Sequence, residues 1–289
     1  MTCVNPLVAY QDYDGGITFH RKKGFDEKRQ LNLPCGRCVG CKLERSRQWA
    51  VRIMNEVQMH KKACFITLTY DNEHLPKNEK GHATLRHEDY QLFMKRLRKK
   101  FSGTTIKFFM CGEYGNLGRP HYHAILFGVD FNDRQMVGSS PSGFTYDNSQ
   151  ILSNLWGHGF VTVGNVTFES AAYVARYILK KINSRNFEYM VKPEYIKMSL
   201  REAIGKKWIL AYKDDVYNQD FILSRGFKAK PPRYYDKVFS KLNPTRWEEV
   251  KEKREFDGYS RREDNTPERL AVKEYLITEK LNKFKRNID

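Results

Sequence analysis

The alternation of apolar and polar residues along the chain predicts a mixture of strands and helices. The segment 63–70 (ACFITLTY) is rich in β-branched and aromatic residues and predicts a central strand. The segment 106–128 contains two apolar strands joined by a turn rich in Gly, Asn and Pro, which is typical of an antiparallel hairpin. Another strand is expected within 154–163. Apolar residues recur at helical spacing in three further segments, 42–61, 86–101 and 170–184.

The rest of the chain predicts less regular structure. Gly, Ser and Asp are frequent in 129–150, where we expect a loop. The segments 193–207 and 221–235 mix basic and aromatic residues, which favours a DNA-binding extension, and 246–289 is charged and helical in pattern. We therefore expect three parts: an N-terminal cysteine knuckle with its support helix (1–61), a core (62–185) and a C-terminal extension (186–289).

Composition narrows the classes of function. Of 289 residues, 51 are Lys or Arg and 34 are Asp or Glu, which gives a net charge of +17. This excess predicts attraction to a polyanion, most plausibly nucleic acid, and an aromatic content of 13% suits stacking on unpaired bases. No apolar run has membrane-spanning length and the N-terminus lacks a signal pattern. We therefore expect a cytosolic protein with no membrane partner.

Two histidines alternate on the second strand of the predicted hairpin. His121 and His123 share one face of that strand, and Glu113 ends the first strand, where the hairpin is expected to bring it near both imidazoles. Two imidazole nitrogens and a carboxylate suit a divalent metal ion. The alternative is a half-buried strand in which two histidines alternate by chance; the glutamate and the basic chain argue against it. A histidine-triad nucleotide hydrolase would need a third histidine where Ile125 stands.

Three of the six cysteines lie within seven residues, as Cys35, Cys38 and Cys41. Disulfides are improbable in a reducing cytosol, whereas closely spaced thiolates separated by glycine wrap a metal ion, and zinc is the usual one. Structural zinc takes four ligands, and Cys3 is the obvious candidate for the fourth. An iron–sulfur cluster and a set of unligated cysteines remain as alternatives.

Two tyrosines lie four residues apart on the helix predicted over 170–184. Helical spacing places Tyr173, Tyr177 and Lys180 on the face opposite an apolar stripe. A phenol with a pKa of ~10 needs nearby cations and a metal-polarised phosphate to act as a nucleophile. Two surface tyrosines beside lysines are the simpler alternative. The combination of paired tyrosines with alternating histidines on a basic chain is more specific, and it favours a nuclease site.

Three motifs, in this order along the chain, resemble those of HUH endonucleases of the rolling-circle replication-initiator type. They are FITLTY (65–70), GEYGNLGRPHYH (112–123) and AAYVARYILKK (171–181). Four further segments resemble the replication initiators of small single-stranded DNA bacteriophages, specifically the gokushovirus branch of the microviruses. They are CGRCVGC (35–41), ERSRQWAVR (44–52), LWGHG (155–159) and PPRYYDK (231–237). The resemblance covers most of 1–239.

The resemblance implies an α+β HUH endonuclease fold. In that fold a five-stranded antiparallel sheet is flanked by helices, with the metal-binding strand at its centre and the tyrosine helix beside it. The N-terminal zinc knuckle and a helical C-terminal extension complete the expected architecture. The residues carried over are His121 and His123 as ligands of Mg or Mn, Glu113 as third ligand, Tyr173 and Tyr177 as nucleophiles, and Lys180 as the lysine that follows them.

The function implied by the resemblance is replication initiation. The enzyme would nick single-stranded DNA at the viral origin, keep a 5′-phosphotyrosine, leave a 3′-OH as primer and later rejoin the ends. No G-x-x-x-x-G-K-[ST] motif of a helicase motor is present, so a host helicase and replication machinery are expected partners in the cytoplasm of the infected bacterium. Two alternatives remain open: a plasmid relaxase or transposase-type HUH nuclease, and a non-catalytic zinc-stabilised nucleic-acid-binding protein.

Overall fold

The structure is a computed structural model that describes residues 3–20, 29–115, 117–139, 145–180 and 191–285, with backbone only for 176–180 and 283–285. The described residues form twelve strands: β1 Leu7–Gln11, β2 Ile17–Thr18, β3 Gln30–Leu33, β4 Ala63–Tyr70, β5 Lys107–Tyr114, β6 Pro120–Phe127, β7 Gln135–Ser139, β8 Thr145–Asn148, β9 Gly159–Gly164, β10 Tyr195–Met198, β11 Ile222–Ser224 and β12 Phe227–Ala229. They also form eight α-helices: α1 Val39–Val57, α2 His87–Lys100, α3 Gln150–Trp156, α4 Phe168–Lys180, α5 Lys206–Gln219, α6 Arg233–Leu242, α7 Pro244–Ser260 and α8 Pro267–Lys285.

The chain divides into two compact units. One consists of Met1–Arg45 with Lys251–Asp289, and it contains the small antiparallel sheet β2-β1-β3. The other, Ser46–Val250, contains a large antiparallel sheet and the hairpin β11-β12. Among the described helices, none combines the length and the apolar character needed to cross a bilayer.

The large sheet has the strand order β10-β5-β6-β4-β9-β8-β7, so the expected mixed α+β class with an antiparallel sheet is confirmed. The expectation of five strands is wrong, because the sheet has seven. The hairpin β7-β8 lies in the segment that we expected to be a loop, and the one register pair between β8 and β9 is Asp147 with Val163. These two strands are mostly exposed, so no alternation of apolar residues marks them in the sequence.

The two faces of the large sheet differ in how they are covered. Alternate residues of β4, including Ile66, Leu68 and Tyr70, are buried in a core shared with α2 and α3. The opposite face of β4 is half-buried, with Phe65 packing into a second core that α1 and α4 share with β5 and β6. Full burial of an aliphatic side chain stabilises the fold by about 1.5–3 kcal/mol, so the first face anchors the sheet. The less covered face carries the candidate site.

The helix boundaries show where local hydrogen bonds override the apolar pattern. Strand β4 coincides with 63–70, and α2 agrees with 86–101 to within a residue. Helix α1 begins and ends earlier than the expected 42–61, and the short helix α3 was not predicted. Ser170 was expected to cap the tyrosine helix, but α4 begins at Phe168. The Thr167 hydroxyl accepts from the Ser170 N–H at 3.1 Å, and the Ser170 hydroxyl accepts from the Thr167 N–H at 2.9 Å, which is a reciprocal cap.

Candidate active site

The hairpin of β5 and β6 places the predicted metal ligands side by side. Glu113 pairs with His121 in the antiparallel register, so both side chains point to the same face of the sheet. In the turn, the Gly115 N–H donates to the Arg119 carbonyl at 2.9 Å. Gly118 has a φ of 73°, in the left-handed region that favours glycine. The tight turn therefore keeps the register that sets the carboxylate opposite the first histidine.

One carboxylate oxygen is the point at which the candidate ligands meet. Oε1 of Glu113 lies 2.7 Å from His121 Nε2 and 2.8 Å from His123 Nε2. Glu113 is 2% exposed, and its second oxygen, Oε2, is buried without a hydrogen-bond partner. A buried carboxylate oxygen without a donor is costly, and a bound cation would satisfy it. The three residues, here called the triad, offer ligand atoms that all lie within 4.8 Å of one another.

The far nitrogens of both imidazoles are also engaged. His121 Nδ1 donates to the Arg119 carbonyl at 3.1 Å, and His123 Nδ1 is 2.9 Å from the Thr67 hydroxyl. A carbonyl only accepts, so in neutral His121 the lone pair is on Nε2 and faces the carboxylate. Two facing lone pairs repel unless a proton or a cation lies between them. The donor set therefore fits a divalent metal ion at this point.

The electrostatics of the triad favour the ionisation states that bind metal. Burial raises the pKa of Glu113, but hydrogen bonds and charge from the two histidines outweigh it and lower the pKa to about 2. Burial lowers the pKa of His123, although the adjoining carboxylate opposes the shift. An ionised carboxylate and a neutral imidazole are the forms that coordinate a metal.

Tyr173 is the predicted nucleophile whose side chain the structure describes, and it reaches the triad. Its hydroxyl donates to Glu113 Oε1 at 2.9 Å, and its ring meets His123 edge-on at 5.1 Å between centroids. Ala171 and Val174 are fully buried against the sheet and fix α4 there. The sequence pattern set Tyr173 opposite the apolar stripe. In the structure it is half-buried and turned toward the sheet, since a bulky ring beside the stripe can still reach the triad.

Two predicted catalytic side chains lie outside the described residues. The backbone of α4 continues to Lys180, which places Tyr177 one helical turn beyond Tyr173. Nothing is described of the Tyr177 and Lys180 side chains. His158, which we considered near the metal, instead contacts the rings of His74 and Trp156.

Three residues that support the triad were missed from the sequence. Thr67 holds His123 Nδ1, the Arg119 carbonyl holds His121, and the Phe65 ring stacks on His123 at 5.7 Å with an interplanar angle of 6°. Phe65 and Thr67 alternate on β4, so the period-two pattern of FITLTY already places them on one face. Their contact with the histidines depends on the pairing of β4 with β6, which the pattern does not reveal.

The four predicted zinc ligands form a second cluster, here called the four-cysteine cluster. Sγ of Cys3 lies 3.7 Å from Sγ of both Cys35 and Cys38, and the Cys35 and Cys41 sulfurs are 4.0 Å apart. A tetrahedral site with zinc–sulfur bonds of ~2.3 Å has sulfur–sulfur edges of ~3.8 Å. The cysteines are free of disulfides, so their spacing fits a tetrahedral metal ion.

The protonation of the four-cysteine cluster also fits a cation. Burial raises the pKa of Cys38, but N–H groups of Cys41 and Val4 donate to its sulfur and lower the pKa to about 6. Burial and neighbouring sulfurs raise the pKa of Cys41 to about 12. One thiolate forms readily and the others resist, because adjacent negative sulfurs repel. A metal ion removes this repulsion.

The fold and the clusters define an α+β protein with two candidate metal sites, one of them beside a tyrosine. Residues 63–182 match the family model of the replication-associated protein ORF2. The replication-associated protein VP4 of Bdellovibrio phage phiMH2K is 33% identical over 258 residues, which cover 86% of this chain and 80% of that protein. The chain belongs to the replication-associated proteins of gokushovirus-like microviruses, which confirms the resemblance.

Two further relatives have similar coverage of this chain. The replication-associated protein ORF2 of Spiroplasma virus 4 is 33% identical over 281 residues, covering 88% of this chain and 86% of the relative. The replication-associated protein ORF4 of Chlamydia phage 1 is 31% identical over 257 residues, covering 85% of this chain and 59% of the relative. No solved structure matches the chain. The triad and the four-cysteine cluster are therefore interpreted from their own geometry.

Proposed function

We propose that the protein is the replication initiation endonuclease of a microvirus, which nicks single-stranded DNA at the viral origin and rejoins its ends. The observation that carries this proposal is the contact of the Tyr173 hydroxyl with Glu113 Oε1 at 2.9 Å, at the same oxygen that faces both histidines. A nucleophile beside a metal-binding set is the arrangement that phosphoryl transfer to a tyrosine requires. The names of the relatives support a role in viral replication.

The residues of the triad have separate roles in this proposal. Glu113, His121 and His123 hold a divalent ion, Mg or Mn, which when bound supplies Lewis-acid polarisation of the scissile phosphate and offsets developing charge. The phenolic oxygen of Tyr173 attacks phosphorus and the bond to the 3′ oxygen breaks, giving a 5′-phosphotyrosine and a free 3′-OH. A carboxylate with a pKa of about 2 is a weak base, so we assign Glu113 to ligand binding and not to proton abstraction.

A second tyrosine suits a reaction with two cuts. When the origin is regenerated, the displaced strand is still attached to the first tyrosine, which is then unable to attack again. Tyr177 lies one turn along α4 and is the candidate for the second attack. The 3′-OH released by that attack closes the circle by displacing the first tyrosine. Phosphotyrosine conserves the bond energy, so rejoining needs no ATP, and a host helicase separates the strands.

The proposal is tested by trapping the covalent product. Single-stranded oligonucleotides that tile the viral strand, labelled at the 3′ end, are incubated with the full chain and Mn²⁺ and resolved under denaturing conditions. The label should migrate with the protein, because the tyrosine keeps the 5′ end of the labelled fragment. An adduct in the double variant Tyr173→Phe/Tyr177→Phe, or none with any oligonucleotide in Mn²⁺ or Mg²⁺, would contradict the proposal. No adduct would favour the non-catalytic binding protein.

Single substitutions test the two-nucleophile scheme. Tyr173→Phe and Tyr177→Phe should each retain some cleavage of a short origin strand but lose repeated release of closed circles. The matched control is Tyr275→Phe, because Tyr275 is also on a helix and is 66% exposed. Full circle production by either single variant would mean that the substituted tyrosine is not a nucleophile.

A further inference from the structure

A row of side chains crosses the open face of the large sheet from the triad to an exposed aromatic ring. In the register of the sheet, Glu113 pairs with His121, His121 with Thr69, and Thr69 with Phe160. Directly paired residues point to the same face, so all four side chains are on the face that carries the triad. Phe160 is 70% exposed and lies two strands from His121, a separation of about 10 Å.

A cavity lies beside this row. Its volume is about 400 Å³, within the range of ~300–1,000 Å³ that is typical of small-ligand sites. Its lining consists of an exposed aromatic ring, one cation, one carboxylate and three further residues: Phe160, Arg119, Asp71, Thr69, Tyr70 and Asn72. We call it the Phe160 pocket. An exposed ring next to polar groups of both signs suits a flat ligand with a polar edge.

The polar groups of the Phe160 pocket are held in place. The Arg119 guanidinium donates to the Tyr70 carbonyl at 2.8 Å and to Asn72 Oδ1 at 2.6 Å, which uses two of its five N–H groups. The Asp71 carboxylate accepts from the His74 backbone N–H at 2.8 Å. Arginine offers donors and a positive charge, and aspartate offers acceptors. This combination can pair with the edge of a nucleobase while an aromatic ring stacks on its face.

The backbone fixes the ring at the edge of the pocket. A Cβ at Gly159 would overlap the backbone nitrogen of Asp71 and lie 2.7 Å from the Thr69 carbonyl oxygen, so only glycine fits there. The Asp71 N–H also donates to the His158 carbonyl at 2.9 Å. The start of β9 is therefore held tightly against the end of β4. Phe160, the next residue, is exposed on a rigid element, so binding would require little ordering.

We infer that the Phe160 pocket receives one unpaired base of the DNA strand, close to the phosphate that Tyr173 attacks. At ~3.4 Å per nucleotide of stacked strand, a separation of about 10 Å places this base within about three nucleotides of the scissile phosphate. The continuity of the row with the triad and the net charge of +17 favour a nucleic acid as the occupant. The location of the base relative to the cut rests on the proposed function; the existence of the base pocket does not.

The first test measures binding without chemistry. Full chain and a fluorescein-labelled single-stranded 20-mer from the viral strand are titrated by anisotropy with no added divalent metal. Phe160→Ala should weaken binding by roughly 5- to 150-fold, the effect of losing one base–aromatic stack, and Phe160→Trp should keep it. The control is Phe256→Ala, since Phe256 is 73% exposed on a helix. Equal affinities of Phe160→Ala and the wild-type protein would overturn the inference.

The second test locates the base. Single abasic sites are moved along the 20-mer, and one position should weaken wild-type binding but have no further effect on Phe160→Ala. Additive effects at every position would mean that Phe160 contacts no particular base, and would overturn the inference. If the adduct forms in the earlier assay and this coupling is absent, the inference fails alone. If the coupling is present and no adduct forms, the proposed function fails alone.

Discussion

The two candidate metal sites use opposite ligand chemistry. The four-cysteine cluster consists of thiols alone, and the triad consists of one carboxylate and two imidazoles. Three thiols of the cluster come from the turn at 35–41 and the fourth from Cys3, 32 residues earlier than Cys35. The triad comes from one hairpin, and its members are at most 10 residues apart. The first site therefore ties distant segments together, and the second depends on the register of neighbouring strands.

This difference indicates different uses. Four sulfurs complete a tetrahedral coordination sphere, so the four-cysteine cluster has no position left for a substrate. Three ligand atoms leave positions for water and phosphate oxygens, and the Tyr173 hydroxyl already contacts the triad. Soft thiolates prefer zinc, whereas a carboxylate set suits magnesium or manganese. We therefore expect the four-cysteine cluster to stabilise the fold and the triad to perform the chemistry.

Chelation should separate the two sites most strongly. Brief treatment with EDTA should reduce adduct formation below detection and leave about one zinc per chain, because the triad is an open site with fewer ligands. Mn²⁺ added in excess should restore the adduct. Elemental analysis and the labelled-oligonucleotide assay measure the two effects on one sample. Loss of zinc before loss of activity would contradict the assignment of the two sites.

Removing one triad ligand should have the next largest effect. His123→Ala should lower the rate of adduct formation by roughly 10³-fold or more, since several kcal/mol of charge stabilisation depend on the metal. Binding to single-stranded DNA should change little, because it rests on many cations. His20→Ala, an exposed histidine in the other unit, is the control. If binding and cleavage fall together in His123→Ala, the histidine is structural.

Removing one cysteine should affect stability more than chemistry. Cys38→Ser should lose the zinc and lower the Tm by about 5–10 °C, because metal binding contributes free energy of folding. Below that Tm, adduct formation should persist. Cys64→Ala is the control, since Cys64 is fully buried outside the cluster and its loss should leave the zinc in place. An iron–sulfur absorbance, or no metal in the wild-type protein, would contradict the zinc assignment.

The elements of the candidate site that could be predicted were those with a local signal. In β6 the period of two sets His121 and His123 on one face, and a short turn sets Glu113 opposite. In α4 the apolar stripe predicted that Ala171, Val174 and Ala175 are buried, and the structure confirms it. These patterns involve residues close in sequence, where backbone geometry alone determines which side chains are neighbours.

The elements that could not be predicted depend on contacts between distant segments. Thr67 lies beside His123 because β4 pairs with β6 across 56 residues, and many pairings would satisfy the same apolar pattern. The exposed hairpin β7-β8 buries too little to leave a pattern. Helix α3 has seven residues, too few to show a helical period, although Leu152 and Trp156 are buried. Tertiary pairing supplies what local periodicity lacks.

The smallest effect is expected from the hydroxyl that supports the triad. In Thr67→Val the shape of the side chain is kept, but the buried Nδ1 of His123 loses its partner at 2.9 Å. The Mn²⁺ concentration for half-maximal adduct formation should rise by roughly tenfold, while the rate at saturating Mn²⁺ should fall by no more than about twofold. Thr162→Val is the matched control, because Thr162 pairs directly with Thr67 on the next strand. A lower rate at saturating Mn²⁺ with no change in the Mn²⁺ requirement would mean that Thr67 does not act through the metal ligand. Equal effects of both substitutions would mean that the strand packing matters and the hydrogen bond does not.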